Sequence, residues 1–418
     1  MARFRRTALA VGLSLATAAL SSAIVASTPA TAALPTAAVA LGDSFVSGEG
    51  AGAYTPVTDT AGVAQGFPGW TAPNSNAFFC HRSANASLHR ADLPGIVDRF
   101  NLACSGGQPR DIAAPSADRA KGRQVPAQLD QLRAVGRTHD IDLVLIGLGS
   151  NNTSFTFGTV AEKCANRFIA DAWTGWWEFW AYLGGPVEQK PCGDADLATA
   201  AQVAAATTET TDAVRRILAT LAEIDTDGQH RVVLQDYTNP LPFDLAASLH
   251  SEDDRDDTRD KFRALGAERY AAGCPIHRAS LLPGHRFSAG LGTLVGSVRA
   301  TLAAEFPSAD LVHLNVQRAF DGARLCESAG SPTGALATPI RLQDRPDGTV
   351  VTSLAGKDKI AIQRIANTCV THFQTCQESW HPNAAGHQVL GRCLSGAAVT
   401  TARTVACVRS GDGSVGVG

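Results

Sequence analysis

Short, continuously apolar runs closed by turn residues recur along this chain, at Ala37 to Leu41, Ile141 to Leu148, Val232 to Leu234 and Leu311 to Leu314, with a more alternating run at Val97 to Ala103. A run that is apolar at every position leaves no face for solvent, so it suits a strand covered on both sides. Between the runs lie stretches of helical character at Val125 to Val135, Leu197 to Ile224 and Leu291 to Phe306. Strand and helix alternate. That order predicts an α/β fold, a three-layer sandwich with a central parallel sheet of about five strands and helices on both faces. In such sheets reactive groups gather outside the carboxyl ends of the strands. Ser44 follows the first run, Ser105-Gly106-Gly107 the second and Asn151 the third.

Residues 1–32 have the layout of a secretory signal. Arg3, Arg5 and Arg6 precede the apolar stretch Ala8 to Val25, and Ala30-Thr31-Ala32 supplies the small residues a signal peptidase accepts. Arg5-Arg6 leaves open whether export would follow the general or the twin-arginine route. Cleavage after Ala32 would remove three arginines and no acid, taking the formal charge from -3 to about -6, which leaves no electrostatic footprint for nucleic acid. No second apolar run is long enough to span a bilayer. The expectation is a secreted, extracellular monomer with no integral membrane span and no nucleic-acid partner.

The ten cysteines, an even number in an exported chain, point to a disulfide framework. Proximity along the chain pairs Cys80 with Cys104, Cys164 with Cys192, Cys369 with Cys376 and Cys393 with Cys407, leaving Cys274 for Cys326. Composition alone does not choose among the pairings. A zinc site is the rival use of cysteine, but no CxxC pair occurs and the spacings are irregular.

Two segments look like additions to the sheet core, near residues 155–196 and 328–376. The first holds Trp173, Trp176, Trp177 and Trp180, four of the six tryptophans, at helical spacing on one face. Two readings fit: a packed core stripe, or a lid or acyl-chain platform. The second addition is punctuated by Gly and Pro before Lys357 and is read as helical from Ile360 to Ala366. Ser251 to Lys261, of mixed charge, reads as a solvated helix or loop. The core domain is expected over residues 33–408, and the Gly/Ser-rich residues 409–418 are expected to form a flexible tail.

Three motifs fall at the ends of predicted strands, Gly42-Asp43-Ser44-Phe45, Cys104-Ser105-Gly106 and Gly147-Leu148-Gly149-Ser150-Asn151-Asn152, and a fourth, Glu378-Ser379-Trp380-His381, lies far downstream. Singly each is weak, because Gly-Asp-Ser and Ser-Gly-Gly are common turn sequences and a lone histidine is usually structural. In this order and context the chain resembles the GDSL or SGNH hydrolases, particularly their secreted actinobacterial esterase and lipase branch, in which Gly-Asp-Ser is followed by a loop like Ser47-Gly48-Glu49-Gly50. The resemblance runs from Ala37 to about Leu394 and implies a flavodoxin-like sheet and ester hydrolysis. It also implies Ser44 as nucleophile, His381 as general base, and an oxyanion hole made of the Ser44 and Gly106 backbone N–H groups and the Asn151 side-chain amide.

That assignment is chemically coherent. A serine hydroxyl needs an imidazole to take its proton, and convergent donors stabilise the charge that develops on the carbonyl oxygen. Gly106 has its own reason to be glycine, since backbone approaches a ligand most easily without a Cβ. Asn152 fits the amide role on composition, and Asn151 is preferred through the resemblance. His387, in the terminal helix, reads as structural, and Asp43 as a turn former. Glu378 stands where the family pattern has aspartate, so either Glu378 or a main-chain carbonyl orients His381. The function expected is hydrolysis of small-molecule or lipid carboxylic esters through an acyl-enzyme, with no cofactor and no metal. The alternatives are a carbohydrate O-acetylesterase and a non-catalytic secreted binding protein on the same fold.

Overall fold

The chain is represented by a computed structural model that describes residues 33–54, 80–118, 123–156, 160, 163–164, 167–168, 191–224, 228–242, 276–324, 327 and 380–418. Residues 1–32, the Trp173 to Trp180 stripe, Ser251 to Lys261, residues 328–376, Cys274, Cys326, Cys369, Cys376 and Glu378 lie outside them. The unit from Pro35 to Gly418 carries every element below.

Nine strands are described: β1 (Thr36–Gly42), β2 (Asp98–Asn101), β3 (Ser116–Asp118), β4 (Arg123–Val125), β5 (Asp140–Gly147), β6 (Arg231–Gln235), β7 (Asp310–Arg318), β8 (Thr404–Arg409) and β9 (Val415–Val417). Seven form one sheet in the order β2-β1-β5-β6-β7-β8-β9. Every neighbouring pair from β2 to β8 is parallel, and β9 is antiparallel to β8. With the small β3–β4 hairpin set aside, the first five strands run 2-1-3-4-5, the flavodoxin-like order, whose direction reverses between β1 and β5.

The continuous apolar runs are the central strands. Ala37 to Leu41 of β1 are wholly buried, and Val144, Leu145, Val232, Val233 and Leu311 are as deep. Among the described residues six α-helices flank the sheet: α1 (Ser44–Ser47), α2 (Ser87–Arg90), α3 (Gln128–Gly136), α4 (Ala200–Ile224), α5 (Arg278–Glu305) and α6 (Ala384–Val399). They pack in two groups, α2 with α6, and α4 with α3 and α5. In α4 the buried side chains include Ala206, Thr210, Ala213, Val214, Ile217 and Leu221, the three- and four-residue spacing of one inward face.

Several boundaries differ from those read in the sequence. The expected α/β sandwich and its five parallel strands are present; among the described residues the sheet also holds β8 and the antiparallel β9, and β8 was not readable because it alternates buried and exposed side chains and shows no continuous apolar run. Residues 410–418, expected as a flexible tail, instead fold back. Ser414 donates its backbone N–H and its hydroxyl to Asp412 Oδ1, closing a turn, and β9 then pairs with β8. Helix α5 begins at Arg278, well before Leu291, with Pro283 inside it; Pro283 and Gly284 mask the helical pattern there. Val125 belongs to β4 rather than to α3.

Three disulfides are described, Cys80–Cys104, Cys164–Cys192 and Cys393–Cys407, each among the pairs suggested by proximity. The second closes part of the 155–196 segment, where Asp196 accepts from Lys163 at 2.9 Å and Arg167 at 2.6 Å. Among the described residues no helix is long and apolar enough to cross a membrane.

Candidate active site

The reversal point between β1 and β5 is built from backbone. Gly42 has φ +131°, and a Cβ there would lie 1.9 Å from the Gly147 carbonyl oxygen, so only glycine lets the two strand ends meet. Asp43 N–H donates to Gly147 O at 2.9 Å. The Gln128 side chain holds Gly42 from both sides, its Oε1 accepting the Gly42 N–H at 2.7 Å and its Nε2 donating to the Gly42 carbonyl at 2.8 Å.

Asp43 then caps the single turn of α1, its Oδ1 accepting from Phe45 N at 3.0 Å. Ser44 opens that turn, and Gly48, in the left-handed region at φ +99°, ends it. The other Asp43 oxygen, Oδ2, accepts from the Tyr237 hydroxyl at 2.6 Å and the Ser150 hydroxyl at 2.7 Å. Tyr237 OH in turn accepts the Ser150 N–H at 3.0 Å. Burial raises the Asp43 carboxyl above its usual range, and the hydrogen bonds from Tyr237, Ser150 and Phe45 pull against that rise. Burial and the Asp43 charge together push the Tyr237 phenol well above its ordinary value.

His381 arrives from the other end of the chain. It stands just ahead of α6, whose N-cap Asn383 accepts from Gly386 N at 2.9 Å. Its Nε2 lies 2.8 Å from Ser44 Oγ. For the serine hydroxyl to donate, the ring proton must sit on Nδ1. Trp380, directly before it, is nearly buried and has φ +72°, a left-handed conformation uncommon for a bulky residue. Trp380 also lines an apolar recess with Leu197, Leu241, Ile276 and Phe287.

The Ser44 and Gly106 backbone N–H groups and the Asn151 side-chain amide donate to no acceptor among the described residues. Asn152 is tied into the turn after β5: its Oδ1 accepts from Ser154 N at 2.8 Å and Phe155 N at 3.1 Å, and its Nδ2 donates to Gly149 O at 3.5 Å. Gly106 has φ +71° and open space where a Cβ would stand, so backbone conformation is what demands glycine there. The steric squeeze falls on Gly107, whose Cβ would lie 2.7 Å from Cys104 O and 2.8 Å from Gly42 O. His387 is fully buried in α6, where its Nδ1 accepts the Ser87 N–H at 3.2 Å, and burial pushes it down to about 3.

Sequence reasoning missed Tyr237, Gln128 and the pair Glu49–His81. Glu49 is completely buried, with both carboxylate oxygens 2.7 Å from His81 Nδ1 and Oε2 accepting the Ser105 hydroxyl. Burial alone would raise its carboxyl; the hydrogen bond and charge of His81, with smaller contributions including Ser105, outweigh burial and hold it below the usual range. The Ser47-Gly48-Glu49-Gly50 loop was the only signal for it.

No family model matches this sequence. No curated protein matches it. In shape the chain is similar to an extracellular lipase from Streptomyces rimosus at 19% identity and a TM-score of 0.41, over 87% of this chain and 99% of that one. It is also similar, at 12% identity and a TM-score of 0.31, to an arylesterase candidate from Agrobacterium tumefaciens str. C58, over 86% of this chain and 97% of that one.

Proposed function

We propose that this chain is a serine hydrolase of carboxylic esters, of the GDSL or SGNH kind, working through an acyl-enzyme. The observation that carries the reading is the 2.8 Å approach of His381 Nε2 to Ser44 Oγ at the carboxyl end of the sheet. His381 takes the proton of Ser44 as Oγ attacks the ester carbonyl, and the tetrahedral oxyanion draws on the N–H groups of Ser44 and Gly106 and the amide of Asn151. Collapse expels the alcohol with the proton from His381. Water, activated by the same imidazole, then releases the acid. Orientation of His381 falls to Glu378 or a main-chain carbonyl.

Three disulfides, together with the signal-like residues 1–32, support export to an oxidising compartment. The apolar side chains beside Trp380 fit a hydrophobic acyl part, which is why acyl length is the variable to measure. The reading is tested with a fluorophosphonate probe followed by peptide mass analysis. Stoichiometric labelling of Ser44, lost in His381→Ala, is the expected result; a protein that stays unlabelled is a binding protein on this fold. A nitrophenyl ester series of increasing acyl length then separates the substrate classes, with acetyl-only turnover contradicting a hydrophobic acyl part.

A further inference from the structure

A completely buried carboxylate is costly unless it is paired and hydrogen-bonded, and Glu49 spends that pairing on two parts of the site at once. Its backbone N–H donates to the Ser44 carbonyl at 3.1 Å, while its side chain accepts the hydroxyl of Ser105, the residue immediately before Gly106. One residue therefore ties the turn bearing Ser44 to the loop bearing the Gly106 N–H. The far side of the carboxylate is closed by His81, whose φ of +45° is a strained value for a residue with a Cβ. Tyr54 stacks on that imidazole with ring centroids 4.7 Å apart, and the Tyr54 hydroxyl accepts the Gly50 N–H at 3.0 Å. Strain of this kind persists only where the surroundings over-determine it.

The backbone of the loop is held mainly at its base. Cys104 is bonded to Cys80 and donates its N–H to Gly42 O at 3.1 Å, and Ser105 N–H donates to Cys80 O at 3.0 Å. Beyond Ser105, Gly107 N–H closes back on Cys104 O at 2.9 Å. Gly106 lies at the exposed tip of this turn, in a left-handed conformation with nothing within 4 Å of where a Cβ would stand. The Ser105 hydroxyl is thus a side-chain anchor directly beside the peptide that presents the Gly106 N–H.

We infer that Glu49, clamped by His81, is a positioning residue that aims the Gly106 N–H at the reacting carbonyl through the Ser105 hydroxyl. The inference rests on the assignment of Ser44 and Gly106 proposed above. Glu49 touches no reacting atom in this account; it acts through Ser105, and its effect belongs to the transition state rather than to substrate binding.

The test measures kcat, KM and the affinity of an alkyl boronic acid, which forms a tetrahedral adduct with the nucleophile, in the full chain. Ser105→Ala should lower kcat roughly tenfold, less than the hundredfold or more of losing an oxyanion donor outright. KM should stay within about twofold, and boronate affinity should fall in step with kcat. Glu49→Gln keeps an acceptor for Ser105 and should retain more activity than Glu49→Ala, while Glu49→Gln combined with Ser105→Ala should lose little beyond Ser105→Ala alone. Ser105→Ala keeps the test decisive where Glu49→Ala does not fold. Wild-type kcat and boronate affinity in Ser105→Ala, even with a lowered Tm, would overturn the inference and leave Glu49 with a purely structural role. Absence of any Ser44-dependent turnover in the unaltered protein overturns the hydrolase reading as well, and so distinguishes the two failures.

Discussion

The Tyr237 hydroxyl donates to Asp43 Oδ2 at 2.6 Å across 194 positions of sequence. Because the same oxygen of Tyr237 accepts the Ser150 N–H, one phenol joins the segments that follow β1, β5 and β6. Ser44 is the next residue after Asp43, and Asn151 the next after Ser150. The relative placement of Ser44 and Asn151 therefore passes through Tyr237.

Tyr237→Phe keeps the ring, including its edge contact with Phe45 at 5.2 Å, and removes only the oxygen. It leaves the Ser150 N–H without its acceptor and Asp43 with one donor fewer, at a cost of about 1–3 kcal/mol. The urea midpoint should fall accordingly, and kcat should fall more than KM rises. Loss of Tyr237 also removes the strongest of the hydrogen bonds lowering the Asp43 carboxyl, so burial then raises that group further.

Asn151 and Asn152 should separate by phenotype. Asn151→Ala removes a proposed oxyanion donor and should reduce kcat roughly a hundredfold or more with little change in Tm. Asn152→Ala opens the turn made with Ser154 and Phe155 and should lower Tm, with a smaller loss of kcat. Steady-state kinetics beside thermal melts of both variants check the pair.

His387 predicts acid sensitivity. Its folded pKa of about 3 lies below the ordinary 6.5, so between those values the unfolded chain binds a proton that the folded chain does not. Stability from this group is intact above about pH 6.5 and declines as the pH falls towards 3, at up to about 1.4 kcal/mol per pH unit. His387→Gln should flatten the dependence of the urea midpoint on pH over that window, whatever its effect on stability at neutral pH.

Cys393–Cys407 fastens α6, the helix that follows His381, to β8 across a separation of 14 residues. Closing a loop of this size constrains the unfolded chain by about 3 kcal/mol. Replacing both cysteines by serine should lower Tm, and thermal melts of that variant against the parent check it.

The architecture was legible where a strand is buried on both faces, since Ala37 to Leu41 and Val232 to Leu234 advertise themselves by being apolar throughout. It was not legible in β8, whose alternating pattern belongs to the margin of the sheet, nor in β9, whose Gly/Ser-rich approach reads as tail. Ser44 and His381 each sit in a short motif visible in the sequence, and the fold brings them together across 337 positions. Tyr237, Gln128 and His81 carry no motif. Each acts through long-range hydrogen bonds that only the folded chain brings together. Gly106 was chosen for closeness to a ligand, whereas its positive φ is the demand visible in the fold.

The central claim is that Ser44 attacks and His381 activates it. Hydrolysis of p-nitrophenyl butyrate by the unaltered protein, Ser44→Ala and His381→Ala, compared at one pH, tests it most directly. The account predicts turnover by the parent and a fall on the order of 10⁴-fold or more in each variant. Undiminished hydrolysis by Ser44→Ala, or an inert parent protein, would contradict it.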